Sequence, residues 1–257
     1  MPSYAIQSLT LDSIAQSIGA QVVGDGTLKV DRLVHPRDAL NDNDVILAFD
    51  KNLHAHLEQS NAKAVILAKG QEAFAAKFKG AIMVERPRYA MAKLTALFAR
   101  PNHTSAGIHP SAVIDPTASL GKNVSVGPLC YVGPHAVIGD GTTLISQVTI
   151  GAHTTIGKDC LFYAGSRIGD YVQIGDRSIF QFNSVIGSDG FSFVTPEAGS
   201  VETAKAGTSS TVEAFNKEII RIHSLGSVII GNDSEVGSNT TIDRGTITHT
   251  RIGNGTK

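Results

Sequence analysis

The sequence predicts a mainly β chain, a parallel β-helix of hexapeptide repeats preceded by a small α/β domain. Three observations carry this reading. From Ile108 to Ile186 an aliphatic residue or Phe recurs every six positions, fourteen times without a miss. Four residues after each of them stands only Ala, Val, Cys, Thr, Ser or Gly. The first hundred or so residues lack this period and alternate strand-like with helix-like patterns instead. A run of that length has a chance probability on the order of one in a million, even allowing for six registers.

In chain order, Leu11, Ile14, Ala15 and Ile18 fall at helical spacing behind a Thr10 cap, and Gly19 stands where a left-handed terminator belongs. Residues 64–68 and 81–84 read as buried strands, separated by a helical stretch around 71–79 and followed by a second at 89–98. That alternation makes residues 1–99 an α/β domain. The polar segment 100–107 carries Pro and Gly and reads as the linker.

Residues 108–257 form the repeat domain. A six-residue unit with one bulky and one small inward position, punctuated by a corner, is a short flat strand, and three units close an eighteen-residue triangular coil. Three stacks follow: Ile108, Val126, Leu144, Phe162 and Phe180; Ile114, Val132, Ile150, Ile168 and Ile186; Leu120, Ile138, Ile156 and Ile174. Phe162 should therefore lie against Phe180. Gly follows the aliphatic in nine of the fourteen units and reads as the turn residue, chosen for its backbone freedom. Cys130 and Cys160 point inward from different faces and read as small, reduced, buried residues. After Ile186 the register breaks, returning at Ile230, Val236 and Ile242. The interval, about 191–225, reads as a loop extruded from one corner. Long loops in compact folds are often functional, although a tolerated surface insertion also explains the polar tip at 203–210.

Lys and Arg number 22 against 23 Asp and Glu, so there is no general pull towards nucleic acid or anionic lipid. No stretch approaches the roughly 18 uninterrupted apolar residues a membrane helix needs, and the N-terminus resembles no signal peptide, so the expected compartment is the cytoplasm. Walker, dinucleotide, Gly-x-Ser-x-Gly and His-Glu-x-x-His motifs are missing, which removes nucleotide hydrolysis and triad hydrolysis. His135 and His153 share an outward column eighteen residues apart, continued by Thr117 and Tyr171. No third His follows at short spacing, so the pair reads as solvated neighbours and no metal is expected. His54 and His56, two apart in a helix, do not share a face. His249 reads as an exposed side chain.

The hexapeptide array from Ile108, the turn Gly187-Ser188-Asp189-Gly190-Phe191 and the segment 237–245, with Asp243-Arg244-Gly245, together resemble the UDP-3-O-acylglucosamine N-acyltransferase family of lipid A synthesis. The resemblance covers the whole chain, since that family places a small uridine-binding α/β domain before its helix. It implies a left-handed β-helix, against the usual hand of parallel crossovers, and a homotrimer with active sites between subunits. It implies transfer of a 3-hydroxyacyl group from acyl carrier protein to the 2-amine of a UDP-3-O-acyl-glucosamine, with a His base, backbone oxyanion donors and no cofactor or metal. Asp189, Phe191, Asp243 and Arg244 are the substrate-binding candidates carried over by the motifs. The family's uridine-reading segment aligns with 45–53. There Phe49 and Asn52 are candidates after a small register shift, with Leu53 where a Tyr is expected; a core Phe and a helix-start Asn are the other reading of the two. The family's catalytic His lies on coils after the Asp-Arg-Gly motif, beyond Lys257, and His249 does not match it. The chain is thus expected to stop in mid-coil and, as written, to be inactive. An acetyl-CoA-dependent sugar acetyltransferase and a non-catalytic nucleotide-sugar or carrier-protein binder are the alternatives.

Overall fold

The computed structural model describes residues 8–57, 60–100, 102, 106–197, 199, 205–207 and 218–257. Two compact units divide the chain, Met1–Asn102 and His103–Lys257.

The first unit is built on a five-stranded sheet in the spatial order Gln21–Gly24, Gly80–Val84, Ala64–Ala68, Asp44–Ala48, Arg32–Val34. The Gln21–Gly24 strand is antiparallel to its neighbour, and all other pairings are parallel. Strands buried on both faces read as continuous apolar runs, which is why period-2 alternation gave no signal for Asp44–Ala48. Val45, Ile66 and Ile82 pack under the helices Leu11–Ile18 and Pro87–Leu97, through Leu11, Ile14 and Leu94. Ile46, Val65, Leu67 and Ala81 pack on the other face with Leu57 and Ala75, from the short helices His54–Leu57 and Glu72–Ala75. The first helix starts and stops as its sequence dictates. Thr10 Oγ1 accepts the Ser13 N–H at 3.2 Å, and Gly19 closes it at a φ of 71°. The helix expected around 71–79 is only one turn, Glu72–Ala75. Lys77 and Phe78 N–H reach back three residues, to Phe74 and Ala75 carbonyls, and Lys79 N–H is taken by Lys63 O at 3.0 Å, so the chain is already entering the sheet.

The second unit is the β-helix. Its strands form three parallel sheets, and partners stand eighteen residues apart: Val126 beside Leu144, Leu144 beside Phe162, Phe162 beside Phe180. Every inward aliphatic or Phe from Val126 to Ile186 is buried. The Phe162 and Phe180 rings stack with centroids 4.7 Å apart. Ile108 departs from expectation, being 56% exposed, because it begins the first coil and bridges Val126 on one side only. The small inward positions carry a polar ladder. Thr142 and Thr154 hydroxyls donate to Gly157 and Gly169 carbonyls at 2.9 and 2.7 Å, and accept the Cys160 and Val172 amides of the next coil. No buried side-chain polar atom among the described residues lacks a partner. Cys130 and Cys160 are buried and free, and burial pushes both thiol pKa values up.

The glycine column needs a different reason from the one its sequence suggested. The left-handed corner falls two residues later, at Leu129, His135, Gln147, His153 and their counterparts, with φ near +55°. Glycine follows the aliphatic because successive coils touch there: a Cβ on Gly139 would stand 2.6 Å from the Gly157 carbonyl.

Phe180 pairs with Val236 and Ile186 with Ile242, so the chain leaves the coil after Ile186 and rejoins it at Val228–Ile230. The excursion has an antiparallel stem, Phe193–Val194 against Ile220–Arg221. Of the polar tip expected at 203–210, residues 205–207 are described and the remainder lies outside the described residues. One further irregularity had no sequence signal. Ile230 pairs with Ile252, so the next coil holds four residues more than eighteen, bulging after Arg244.

Candidate functional site

The coil stack brings together two turns that are far apart in sequence. Gly187 follows the strand Val185–Ile186 on one coil and Asp243 follows the strand Thr241–Ile242 on the next, paired with it through Ile186 and Ile242. Ser188 Oγ donates to Asp243 Oδ1 at 2.5 Å, and Arg244 N–H donates to Ser188 O at 2.9 Å. Arg244 Nε donates to Gly187 O at 2.8 Å and its Nη2 to Asp170 O at 3.2 Å, while Nε lies 3.8 Å from Asp189 Oδ1. With two carbonyls and a carboxylate engaged, this side chain is 16% exposed and anchors the turn. Arg to Lys would not preserve that fork.

Arg221, on the return limb of the extruded stem, flanks Asp189 from the other side. Its Nη2 is 3.7 Å from Asp189 Oδ2 and donates to Gly190 O at 3.3 Å. Its guanidinium also covers the Phe193 ring at 5.3 Å. Phe191 is 89% exposed and meets Phe193 edge-on at 5.1 Å. Asp189, Asp243 and Arg244 thus come together with Phe191 beside them, and the sequence reasoning missed Ser188 and Arg221. Arg221 was hidden because no repeat register runs through the excursion. An exposed apolar surface adjoins the cluster in sequence, with Ile219, Leu225 and Ile247 each more than two-thirds exposed.

The four-residue bulge holds the re-entry of the loop. Leu225 N–H donates to Thr246 O at 2.7 Å and Gly226 N–H to Gly245 O at 3.0 Å. His249 is not simply an exposed side chain, for its Nδ1 accepts the Ser227 N–H at 3.1 Å. The bulge therefore grips the exit of the excursion through Asp243 and Arg244, and its return through Gly245, Thr246 and His249. Such a clamp fixes Asp189 and Arg221 relative to one another without occupying their exposed faces.

Phe49 and Asn52 belong to the first unit. Phe49 is half-buried at the end of the strand Asp44–Ala48, packs on the core and accepts from Gln71 Nε2 at 3.2 Å through its carbonyl. Asn52 is exposed in the turn Lys51–Leu53, its N–H held by Asp50 Oδ1 at 2.9 Å. Neither lines the cleft of about 620 Å³ bounded by Ile18, Gln21, Lys69, Glu85, Arg86 and Tyr89. There Lys69 is paired with Glu85 at 2.8 Å and Arg86 lies over the Tyr89 ring.

His135 and His153 stack at 4.8 Å, and His153 on Tyr171 at 5.1 Å, as their shared column requires. Among the described residues no group of three or more His, Cys, Asp or Glu is placed to hold a metal, and no helix is long and apolar enough to cross a membrane.

A family model described as the GMPPB C-terminal domain matches residues 103–191. The chain is 42% identical to a UDP-3-O-acylglucosamine N-acyltransferase of Ruegeria pomeroyi, over 97% of this chain and 69% of that protein. It is 43% identical to one of Paracoccus denitrificans, over 97% of this chain and 68% of the relative. Among solved structures, an Arabidopsis UDP-N-acetylglucosamine acyltransferase aligns with a TM-score of 0.40 at 23% identity, covering 58% of this chain and 47% of that one.

Proposed function

The chain belongs to the UDP-3-O-acylglucosamine N-acyltransferase family, and on that premise we propose that it serves lipid A synthesis by moving a 3-hydroxyacyl group from acyl carrier protein to the 2-amine of UDP-3-O-acyl-glucosamine. With the family comes the left-handed hand of the coil. The observation that carries the proposal is the meeting of the Gly187–Phe191 and Asp243–Gly245 turns: Ser188 bonds to Asp243, Arg244 bonds to the Gly187 and Ser188 carbonyls, and Arg244 lies within ion-pair distance of Asp189, although more than fifty residues separate the two turns.

In this reading Asp189, Phe191, Asp243 and Arg244 bind substrate on the β-helix unit, and Phe49 and Asn52 read the uridine on the first unit. The exposed Ile219, Leu225 and Ile247 near the site support association of copies into the homotrimer, burying surface that a monomer would leave wet. The composition, balanced in charge and without an apolar span, supports a cytoplasmic setting where carrier protein and nucleotide sugar meet. No step of the chemistry requires a metal or a bound cofactor, because amine attack on a thioester needs only a base and oxyanion donors.

The test offers UDP-3-O-acyl-glucosamine with either 3-hydroxyacyl carrier protein or acetyl-CoA, to the 257-residue chain and to a form extended to the length of its relatives. Mass spectrometry of the sugar reads the product. Hydroxyacylation of the amine from the carrier protein is the expected result in the extended form. Acetylation alone would establish the sugar acetyltransferase instead, and no product from either donor would leave only a binding role.

A further inference from the structure

A second cluster lies on the first unit and takes no part in the arrangement above. The parallel strands Arg32–Val34 and Asp44–Ala48 release their chains at the same edge of the sheet. The turn Pro36–Asp38 that follows one strand packs against the helix His54–Leu57 that follows the other. Across that contact Arg37 Nε donates to His56 Nε2 at 3.3 Å, and the Arg37 backbone N–H donates to His35 Nδ1 at 3.3 Å. Among the described residues no carboxylate forms an ion pair with Arg37. Arg32, Arg177, Arg221 and Arg244 each face an Asp, whereas among the described residues Arg86, Arg88, Arg100, Arg167 and Arg251 share with Arg37 the lack of one.

An imidazole that accepts at one nitrogen carries its proton on the other. His35 and His56 therefore each keep a ring N–H to give, and Arg37 keeps the rest of its guanidinium fork. His35 and Arg37 are exposed and His56 is half-buried. Asp38 follows Arg37 directly, and Glu58, two residues after His56, lies outside the described residues. A surface that presents one unneutralised guanidinium and two imidazole donors is a site for an anion, and a planar fork suits phosphate oxygens in particular. It also lies at the carboxyl ends of parallel strands, where open α/β sheets take their ligands. Asn52 stands in the turn that runs directly into the helix bearing His56, and Phe49 ends the strand before it.

We propose that His35, Arg37 and His56 form an anion subsite that holds the diphosphate of the nucleotide-sugar acceptor, beside the Phe49 and Asn52 that meet its uridine. This rests on the reading of the acceptor as a UDP-sugar. Arg37 supplies the charge and the paired donors, His56 orients its fork, and His35 holds its backbone.

Calorimetric titration of the full chain with UDP, uridine and inorganic pyrophosphate, in the wild type, Arg37→Ala and His56→Ala, tests it. All three side chains lie at the surface, and circular dichroism confirms that the variants fold. The wild type should bind UDP at least tenfold more tightly than uridine and should bind pyrophosphate. Arg37→Ala should close the gap between UDP and uridine while leaving uridine affinity unchanged, and His56→Ala should narrow it. A gap that survives Arg37→Ala overturns the subsite and leaves the UDP-sugar reading intact. Pyrophosphate binding that depends on Arg37, with no response to UDP or uridine, keeps the anion site and sinks the nucleotide-sugar reading. A wild type that binds none of the three overturns both.

Discussion

Replacing Phe162 by Ala removes the largest side chain from the middle of a closed stack. The ring is fully buried, flanked along its sheet by Leu144 and Phe180, and stacked on the latter at 4.7 Å with 2° between planes. Truncating a buried Phe costs about 3–5 kcal/mol, from lost transfer energy and the cavity left behind. The ring pair accounts for roughly 0.5–1.5 kcal/mol of that. The coil cannot collapse to fill the gap, because its diameter is set by the backbone hydrogen bonds of the adjoining coils, such as Tyr163 N–H to Phe180 O at 2.8 Å and Ile145 N–H to Phe162 O at 2.9 Å. The cost should therefore fall in the upper half of the range, lowering the melting temperature by about 10 °C at roughly 2–4 °C per kcal/mol for a chain of this size. Thermal unfolding followed by far-ultraviolet circular dichroism reads it, with Tyr131→Ala, an outward residue of the same domain that is 41% exposed, as the control. The control should move by less than about 0.5 kcal/mol. Equal effects of the two substitutions would refute the inward-outward assignment on which the stack depends.

Further outcomes follow from single contacts. Gly139→Ala should destabilise by about 1–3 kcal/mol through overpacking against the Gly157 carbonyl, whereas Gly253→Ala, in the same column but with nothing within 4 Å, should be neutral or slightly stabilising in the same melt. His249→Ala should speed amide hydrogen exchange at Ser227, while His249→Asn, which offers an oxygen close to where Nδ1 stood, should restore protection; an unchanged rate in the Ala variant would mean the bond is not formed. Burial raises the pKa of the Asp44 carboxyl, but hydrogen bonds from Arg32, Asn41 and Leu40, together with the Arg32 charge, lower it by more, so its folded value lies below the ordinary one. Its stabilising contribution is then complete above about pH 4, the unfolded carboxyl value, and is lost as pH falls through the lower, folded value. The melting-temperature advantage of the wild type over Asp44→Asn should shrink in acid and not in base. Cys130 and Cys160, with thiol pKa values raised by burial, should resist alkylation in the folded protein and react fully once it is unfolded.

The stacks were legible in the sequence because each inward position repeats the same demand, a side chain that fills a tube of fixed width, every six residues. Phe162 over Phe180 and His153 over Tyr171 follow from that spacing alone. Where one demand is not repeated, the sequence is silent. Ile108 obeys the period yet is open to solvent, since burial depends on a neighbouring coil and not on the residue itself. The glycine column was visible, but its cause was not: close approach of coils and backbone freedom select the same residue, and only coordinates separate them. The bulge after Arg244 and the placing of Arg221 depend on how a loop outside the repeat is held. The two motif turns were recognisable as sequence, but their contact needed the 56-residue step in pairing that the excursion imposes.

The central claim is that those two turns act as one substrate site. A double-mutant cycle on Asp189→Asn and Arg244→Ala, read as kcat/KM for acyl transfer to UDP-3-O-acyl-glucosamine by the form extended to its relatives' length, tests this most directly. Each single substitution should cost at least tenfold, and the double variant should be little worse than the more damaged single. Losses that multiply would mean that the turns work independently, and unchanged turnover in both singles would place the substrate elsewhere.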